Sequence, residues 1–85
     1  MTDFEKLTAG KTFSKNQLKE IAGGLRDNTP IDQVAFYADP KFDYNQMRQI
    51  RIGLKNNLTL QQIKTYAKPD IKDTQMANIR MGIES

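Results

Sequence analysis

The stretch FDYNQMRQIRIGL, residues 42–54, decides the fold of this chain, because much of it recurs at a fixed spacing. A step of 29 residues in either direction meets an identical or interchangeable residue at many positions. Residues 13–41 and 42–70 are identical at 11 of 29 aligned positions. The triplets that recur include Gln17, Gln46 and Gln75, then Ile21, Ile50 and Ile79, then Gly24, Gly53 and Gly82. A fixed period of this length is typical of a helical repeat.

Each repeat unit opens with the pattern of an amphipathic helix. Met47, Ile50 and Leu54 follow the i, i+3, i+7 spacing that places three apolar side chains on one helix face. The same pattern is found one period earlier and one period later. These three helices are called first helices below.

Capping signals mark where the first helices begin. Ser14 lies three residues before Gln17, which is the spacing of a capping box, and Asp43 precedes Gln46 in the same way. In the third copy Lys72 holds the cap position, and lysine is a poor cap. The third first helix is therefore predicted to start one residue late, at Asp73.

The second half of each unit predicts a shorter helix, called a second helix below. Thr29 before Pro30 predicts a cap followed by proline at the first helical position, and Thr59 opens another capping box. These helices are expected to end near Ala38 and Ala67, since each is followed by a residue that precedes proline. The residues expected to face inward are Ile31, Val34, Ala38, Leu60, Ile63 and Ala67.

The period predicts a single helical-repeat domain over residues 1–85. Its parts are a half unit at 1–12, units at 13–41 and 42–70, and a half unit at 71–85. No segment alternates with a period of two, so no sheet is expected. The predicted fold is all-α, with about six short helices arranged as stacked helical hairpins in a solenoid-like array.

Recurrent glycines and tyrosines also follow the period. The glycines at 24, 53 and 82 lie late in the first helices, where glycine is unfavourable unless a close approach or a C-cap requires it. Tyr37 and Tyr66 precede an Ala-x-Pro segment, and we expect them to pack against the following unit rather than to stack on nucleic acid bases.

The segment YADP at residues 37–40, together with residues 42–54, resembles a known type of repeat. It is similar to the short tandem repeats of the form YAxPxF(D/S)xxQMxxIRxGL in proteins of Gram-positive bacteria and their mobile elements. The resemblance covers about residues 13–83 and implies little about activity. The first copy departs from the pattern, because Leu18 replaces the methionine and Ala22 replaces the arginine. A ligand that used this arginine would meet only Arg51 and Arg80.

Composition argues against several classes of function. The chain has 0 cysteines and 0 histidines, which removes the usual zinc ligands, thiolate nucleophiles and triad bases. It contains no Gly-rich phosphate loop, and no apolar run approaches the roughly 18 residues of a membrane span. The sequence therefore predicts a cytoplasmic protein that is not an enzyme, has no catalytic residues, uses no cofactor or metal, and does not bind a membrane.

The net charge of +3 draws attention to the basic residues of the first helices. Side by side, these helices would present a basic strip that forms the candidate binding face. Its members are Lys19, Arg26, Arg48, Arg51, Lys55 and Arg80. Such a strip suits a nucleic acid backbone or an acidic protein. The alternative is a solvated helix face balanced by Glu20, Asp27 and Asp32.

The leading hypothesis is a protein-interaction module. It is favoured by the repeat scaffold and by a last helix whose apolar residues Met76, Ile79 and Ile83 have no following helix to cover them. Such a helix suits a protein partner or a homo-oligomer. The alternatives are a nucleic-acid-binding protein that uses the basic strip, and a small mobile-element inhibitor of a host nucleoprotein.

Overall fold

The computed structural model describes residues 1–85 and contains six helices and no strand. The helices are α1 (Asp3–Thr8), α2 (Lys15–Arg26), α3 (Ile31–Tyr37), α4 (Tyr44–Lys55), α5 (Leu60–Lys64) and α6 (Asp73–Glu84). The all-α class and the number of helices are as predicted. None of the six helices combines the length and the apolar character that crossing a membrane requires.

The bounds of the first helices recur with the sequence period. Helices α2, α4 and α6 have 12 residues each and begin at Lys15, Tyr44 and Asp73. The predicted start of α6 at Asp73 is confirmed, but it is not a late start, because Asp73 is the period equivalent of Tyr44 and Lys72 keeps the cap position. The Gln75 side chain accepts a hydrogen bond from the Lys72 backbone N–H at 3.4 Å, although the lysine offers no oxygen in return.

Capping boxes fix the starts of α2, α4 and α5, as predicted. In α4 the Asp43 carboxylate accepts from the Gln46 N–H at 2.8 Å, and the Gln46 side chain accepts from the Asp43 N–H at 2.9 Å. Ser14 and Gln17 form the same pair in α2. Each box satisfies two backbone donors that would otherwise lack partners at a helix end.

The second helices depart from the prediction at three places. Helix α3 begins after Pro30, which takes the cap position, so the expected Thr29 cap is absent. Helix α5 ends at Lys64, because the chain tightens into i→i+3 hydrogen bonds, including one from the Tyr66 N–H to the Ile63 carbonyl. Ile31 does not face inward as expected but is 42% exposed, because it lies at the first turn of α3.

The first helices lie side by side in chain order, since α2 packs on α4 and α4 on α6. Helix α3 packs on both α2 and α4, while α1 packs on α2 and α5 on α4. One continuous core runs between these helices. Its largest fully buried side chains are Tyr37, Tyr66, Phe42, Ile21, Met47, Ile50, Ile63, Met76 and Val34.

Candidate interaction surfaces

Arg51, a member of the predicted basic strip, forms a salt bridge between neighbouring first helices. Its Nη1 atom lies 3.0 Å from Glu20 Oε1 and its Nε atom lies 2.9 Å from Asp27 Oδ2, so α4 is tied to α2. The guanidinium passes so close to Gly23 that a Cβ at that position would collide with it. Arg51 is therefore engaged inside the protein.

Arg80 repeats this link between α6 and α4, with different partners. Its Nε atom donates to Gln49 Oε1 at 3.1 Å, and its Nη1 atom pairs with Glu84 Oε1 at 2.7 Å. Gln49 and Asn56 are the period equivalents of Glu20 and Asp27, so amides replace both carboxylates. Glu84 supplies the missing negative charge, and the Asn56 side chain donates to it at 2.9 Å.

The titration of the acids reflects these contacts. The hydrogen bond from Arg51 lowers the pKa of Asp27, because it stabilises the charged carboxylate. The pKa of Glu84 is lowered first by the hydrogen bond from Asn56 and then by that from Arg80. Asp27 and Glu84 thus favour their charged forms, as expected for groups that hold neighbouring helices together.

The predicted basic strip therefore divides into two groups. Lys19, Arg26 and Arg48 are exposed and form no salt bridge, and Lys55 is 63% exposed although it lies 3.8 Å from Asp27. We call these four residues the basic face. It covers α2 and α4 and stops there, because α6 carries an alanine and a glutamate at the equivalent positions, 77 and 84.

Buried tyrosines explain the recurrent glycines in the first two units. The Tyr37 hydroxyl donates to the Glu20 carbonyl at 2.7 Å, and the Tyr66 hydroxyl donates to the Gln49 carbonyl at 3.0 Å. A Cβ at Gly24 or Gly53 would collide with these hydroxyls. The close approach predicted at the glycines is confirmed at Gly24 and Gly53. The expected contact of the tyrosines with the next unit is wrong for their hydroxyls, which donate to the first helix of their own unit.

The recurrent glutamines join each unit to the turn that follows it. While Gln46 Oε1 serves the capping box, Gln46 Nε2 donates to the carbonyls of Pro69 at 2.9 Å and Ile71 at 2.7 Å. Gln17 makes the same contacts one period earlier, to the Phe42 carbonyl at 2.7 Å and more weakly to that of Pro40. These glutamines are structural, as the capping pattern indicates.

Helix α6 keeps the residues of a first helix but lacks a second helix packed on them within residues 1–85. Ile79 is 39% exposed, whereas its equivalents Ile21 and Ile50 are fully buried. Nothing lies within 4 Å of a Cβ built on Gly82, and Gln75 Nε2 has no hydrogen-bond partner in the protein. We call the surface formed by Ile71, Gln75, Asn78, Ile79 and Gly82 the open face.

Part of the apolar surface expected on the last helix is buried. Met76 is fully buried and Ile83 packs against the core, so the expectation that both are uncovered is wrong. Their side chains point towards the preceding unit. Only Ile79 on the open face and Met81 beside it are large apolar residues exposed on α6.

The opposite end of the molecule is polar. At the positions where α3 has the buried Val34 and Tyr37, α1 has Glu5 and Thr8. The Thr8 hydroxyl donates to the Phe4 carbonyl at 2.9 Å within its own helix. Helix α1 thus presents hydrophilic residues at the positions where α3 is buried.

Two aspartates near the turn between the first and second units accept hydrogen bonds from the backbone. Asp39 accepts from the Lys41 N–H at 3.0 Å, and Asp43 caps α4. No group of three or more potential ligands among His, Cys, Asp and Glu is close enough to hold a metal ion.

The sequence did not reveal the partners of the two arginines. Arg51 and Glu20 are 31 residues apart, as are Arg80 and Gln49, so no local helix pattern connects them. A pair of charge differences between the repeats could have indicated these contacts. One period after Asp27 stands the neutral Asn56, and one period after Lys55 stands Glu84. The negative charge therefore moves from the earlier first helix of the pair to the later one.

No protein-family model matches the chain, and no curated protein and no solved structure matches it either.

Proposed function

We propose that this protein is a non-catalytic helical-repeat module that binds another protein, in the cytoplasm and as part of a mobile element of a Gram-positive bacterium. The observation that carries the proposal is the open face of α6. A first helix that has kept its packing residues without a second helix to cover them presents apolar and polar groups in a defined arrangement.

The asymmetry between the two ends supports this proposal. The N-terminal end is closed by polar residues on α1, while the C-terminal end exposes Ile79 and an unpartnered glutamine amide. An exposed apolar patch with polar groups at its edge is the usual character of a protein-binding surface. The setting in a mobile element rests on the sequence resemblance alone.

The test is affinity capture from the native host with three forms of the tagged protein. We expect the wild type to capture a specific protein partner and Ile79→Glu to lose it, because a charge on the open face must be desolvated on binding. Arg48→Glu is the matched control, since Arg48 is also exposed but lies on the basic face. A partner retained equally by both variants, or no partner at all, would contradict the proposal.

A second candidate function is nucleic acid binding through the basic face. It is favoured by the four exposed cations on α2 and α4, of which only Lys55 lies near a carboxylate. Fluorescence anisotropy with duplex DNA, single-stranded DNA and RNA tests it at low and physiological salt. Binding that survives physiological salt and is lost in an Arg48→Glu, Lys55→Glu double variant would support it. Binding at low salt alone would indicate only general charge attraction.

A further inference from the structure

The protein contains two internal examples of how a first helix receives a second helix. In each, three kinds of contact recur. A tyrosine hydroxyl lies over a glycine and donates to a first-helix carbonyl. A glutamine Nε2 atom donates to the carbonyls of the turn after the second helix. An aliphatic residue of the second helix, Val34 or Ile63, lies against the same glycine. The first-helix isoleucine is completely buried in both cases.

The open face of α6 has every receiving group of this interface. Its groove is lined by Ile71, Gln75, Asn78 and Ile79, which are the period equivalents of Phe42, Gln46, Gln49 and Ile50 on α4. Gly82 replaces Gly53 and leaves space where the Tyr66 hydroxyl lies in the second unit. The Asn78 carbonyl stands where the Gln49 carbonyl accepts from that hydroxyl.

A second copy of this chain does not supply a matching helix through α1, its own equivalent of a second helix. On α1 the position of the buried Val34 is held by the exposed Glu5, which would place a carboxylate against Gly82, just as Val34 lies against Gly24. The position of Tyr37 is held by Thr8, whose side chain is too short to reach from the second helix to a carbonyl of the first. The occupant must therefore come from a helix of different composition.

We propose that the open face binds a short helix of a partner protein with the pattern of this chain's own second helices. That pattern begins with an aliphatic residue, followed after two further residues by Tyr-Ala, as in Ile63 to Ala67. A turn whose carbonyls can accept hydrogen bonds comes next, as in residues 68–71. The inference rests on the proposed function and specifies the partner.

In the complex, the partner's tyrosine hydroxyl lies over Gly82 and donates to the Asn78 carbonyl. The Nε2 atom of Gln75 donates to the turn that follows the partner's helix, and the aliphatic residue lies against Gly82, as Ile63 lies against Gly53. Each of these contacts has a counterpart between α4 and the segment from α5 to Ile71. The partner thereby completes the third unit.

The probe is a synthetic peptide with the sequence of residues 57–72, capped at both ends, added to the 15N-labelled 85-residue protein. We expect saturable shifts of the Gly82 amide and the Gln75 side-chain amide in NMR spectra. The amides of Gly24 and Gly53 are internal controls and should not shift, because their sites are already occupied. A Tyr66→Phe substitution in the peptide should weaken binding several-fold, through loss of the hydroxyl.

Protein variants separate loss of the site from loss of the fold. Gly82→Ala should remain folded, because nothing lies near the added methyl group, and should weaken peptide binding at least tenfold by filling the place of the tyrosine hydroxyl. The control is Ala77→Ser, which also adds a single heavy atom to α6 but at the position equivalent to the exposed Arg48, outside the open face. It should bind the peptide as the wild type does.

Three results would overturn the inference: no binding at millimolar peptide, equal affinity of Gly82→Ala and wild type, or a stable dimer in sedimentation that Ile79→Glu dissociates. The capture experiment keeps this inference separate from the proposed function. A partner that depends on Ile79, together with no peptide binding, would overturn the helix pattern and leave the proposed function standing. If capture also fails, the proposed function fails with it.

Discussion

At the scale of single residues, three equivalent glycines occupy two kinds of environment. Gly24 and Gly53 lie under tyrosine hydroxyls, whereas Gly82 faces open space. The same residue is therefore retained for close packing at two positions and has no such role within the 85-residue chain at the third.

This difference predicts opposite effects of one substitution. Gly53→Ala should destabilise the fold by about 1–3 kcal/mol, because the methyl group displaces the Tyr66 hydroxyl. Gly82→Ala should stabilise it by up to about 1 kcal/mol, since alanine favours a helix and nothing obstructs its side chain. Urea unfolding of both variants checks the signs, and a loss of stability in Gly82→Ala would contradict the account.

Arg51 predicts a second contrast, between two arginines of the same helix. Arg51→Ala should reduce the free energy of unfolding by about 1–3 kcal/mol, because Glu20 and Asp27 lose a charged hydrogen-bond donor. Arg48→Ala should change it by less than about 0.5 kcal/mol, since that side chain is exposed and forms no salt bridge. Equal effects in thermal unfolding would show that the Arg51 link does not stabilise the protein.

The same link predicts a dependence on pH. The pKa of Asp27 in the folded protein is lowered from its ordinary value of 3.8 by the hydrogen bond from Arg51. Its contribution to stability is therefore complete above about pH 4 and is lost as the pH falls from there through the lowered folded value. Asp27→Asn should flatten this part of the stability curve, whereas Asp32→Asn should leave it unchanged. An unaltered acid limb in Asp27→Asn would contradict the prediction.

At the scale of the elements, the glutamines decide how strongly a first helix holds the turn that follows its unit. Gln46→Ala should lower the free energy of unfolding by about 2 kcal/mol, because it removes a cap contact and two bonds from Nε2. Gln75→Ala should cost less than about 1 kcal/mol, since only the long contact to Lys72 is lost. Equal losses in urea unfolding would mean that the bonds from Nε2 add nothing.

Whether the sequence predicts a helix start depends on how close in the chain the residues that fix this start lie. Capping boxes act within four residues, so the sequence predicts the starts of α2, α4 and α5 correctly. The predicted start of α3 is wrong because Pro30 fits both the cap and the first helical position. Helix α6 begins at Asp73, as predicted, yet in step with α2 and α4 rather than one residue late, because packing on α4 keeps the period even where the cap residue is poor.

At the scale of the whole molecule, the sequence predicts the all-α class well and the candidate sites less completely. The basic strip follows from cations on one helix, but the acids that engage Arg51 lie one period earlier in the chain. Such partners become visible only when neighbouring helices are placed side by side. In the sequence, only Ile79 indicates the open face. The exposed Gln75 and the space at Gly82 become apparent only when α6 is compared with α2 and α4, whose corresponding faces are covered by second helices.

The proposed function requires that this protein bind its partner through α6 rather than through the basic face. The most direct measurement is site-specific photocrosslinking in the native host, with p-benzoylphenylalanine placed at position 79 or at position 48. Binding through α6 should give a discrete protein adduct from position 79 and none from position 48. Adducts from position 48 to nucleic acid, with none from position 79, would contradict it and assign the function to the basic face.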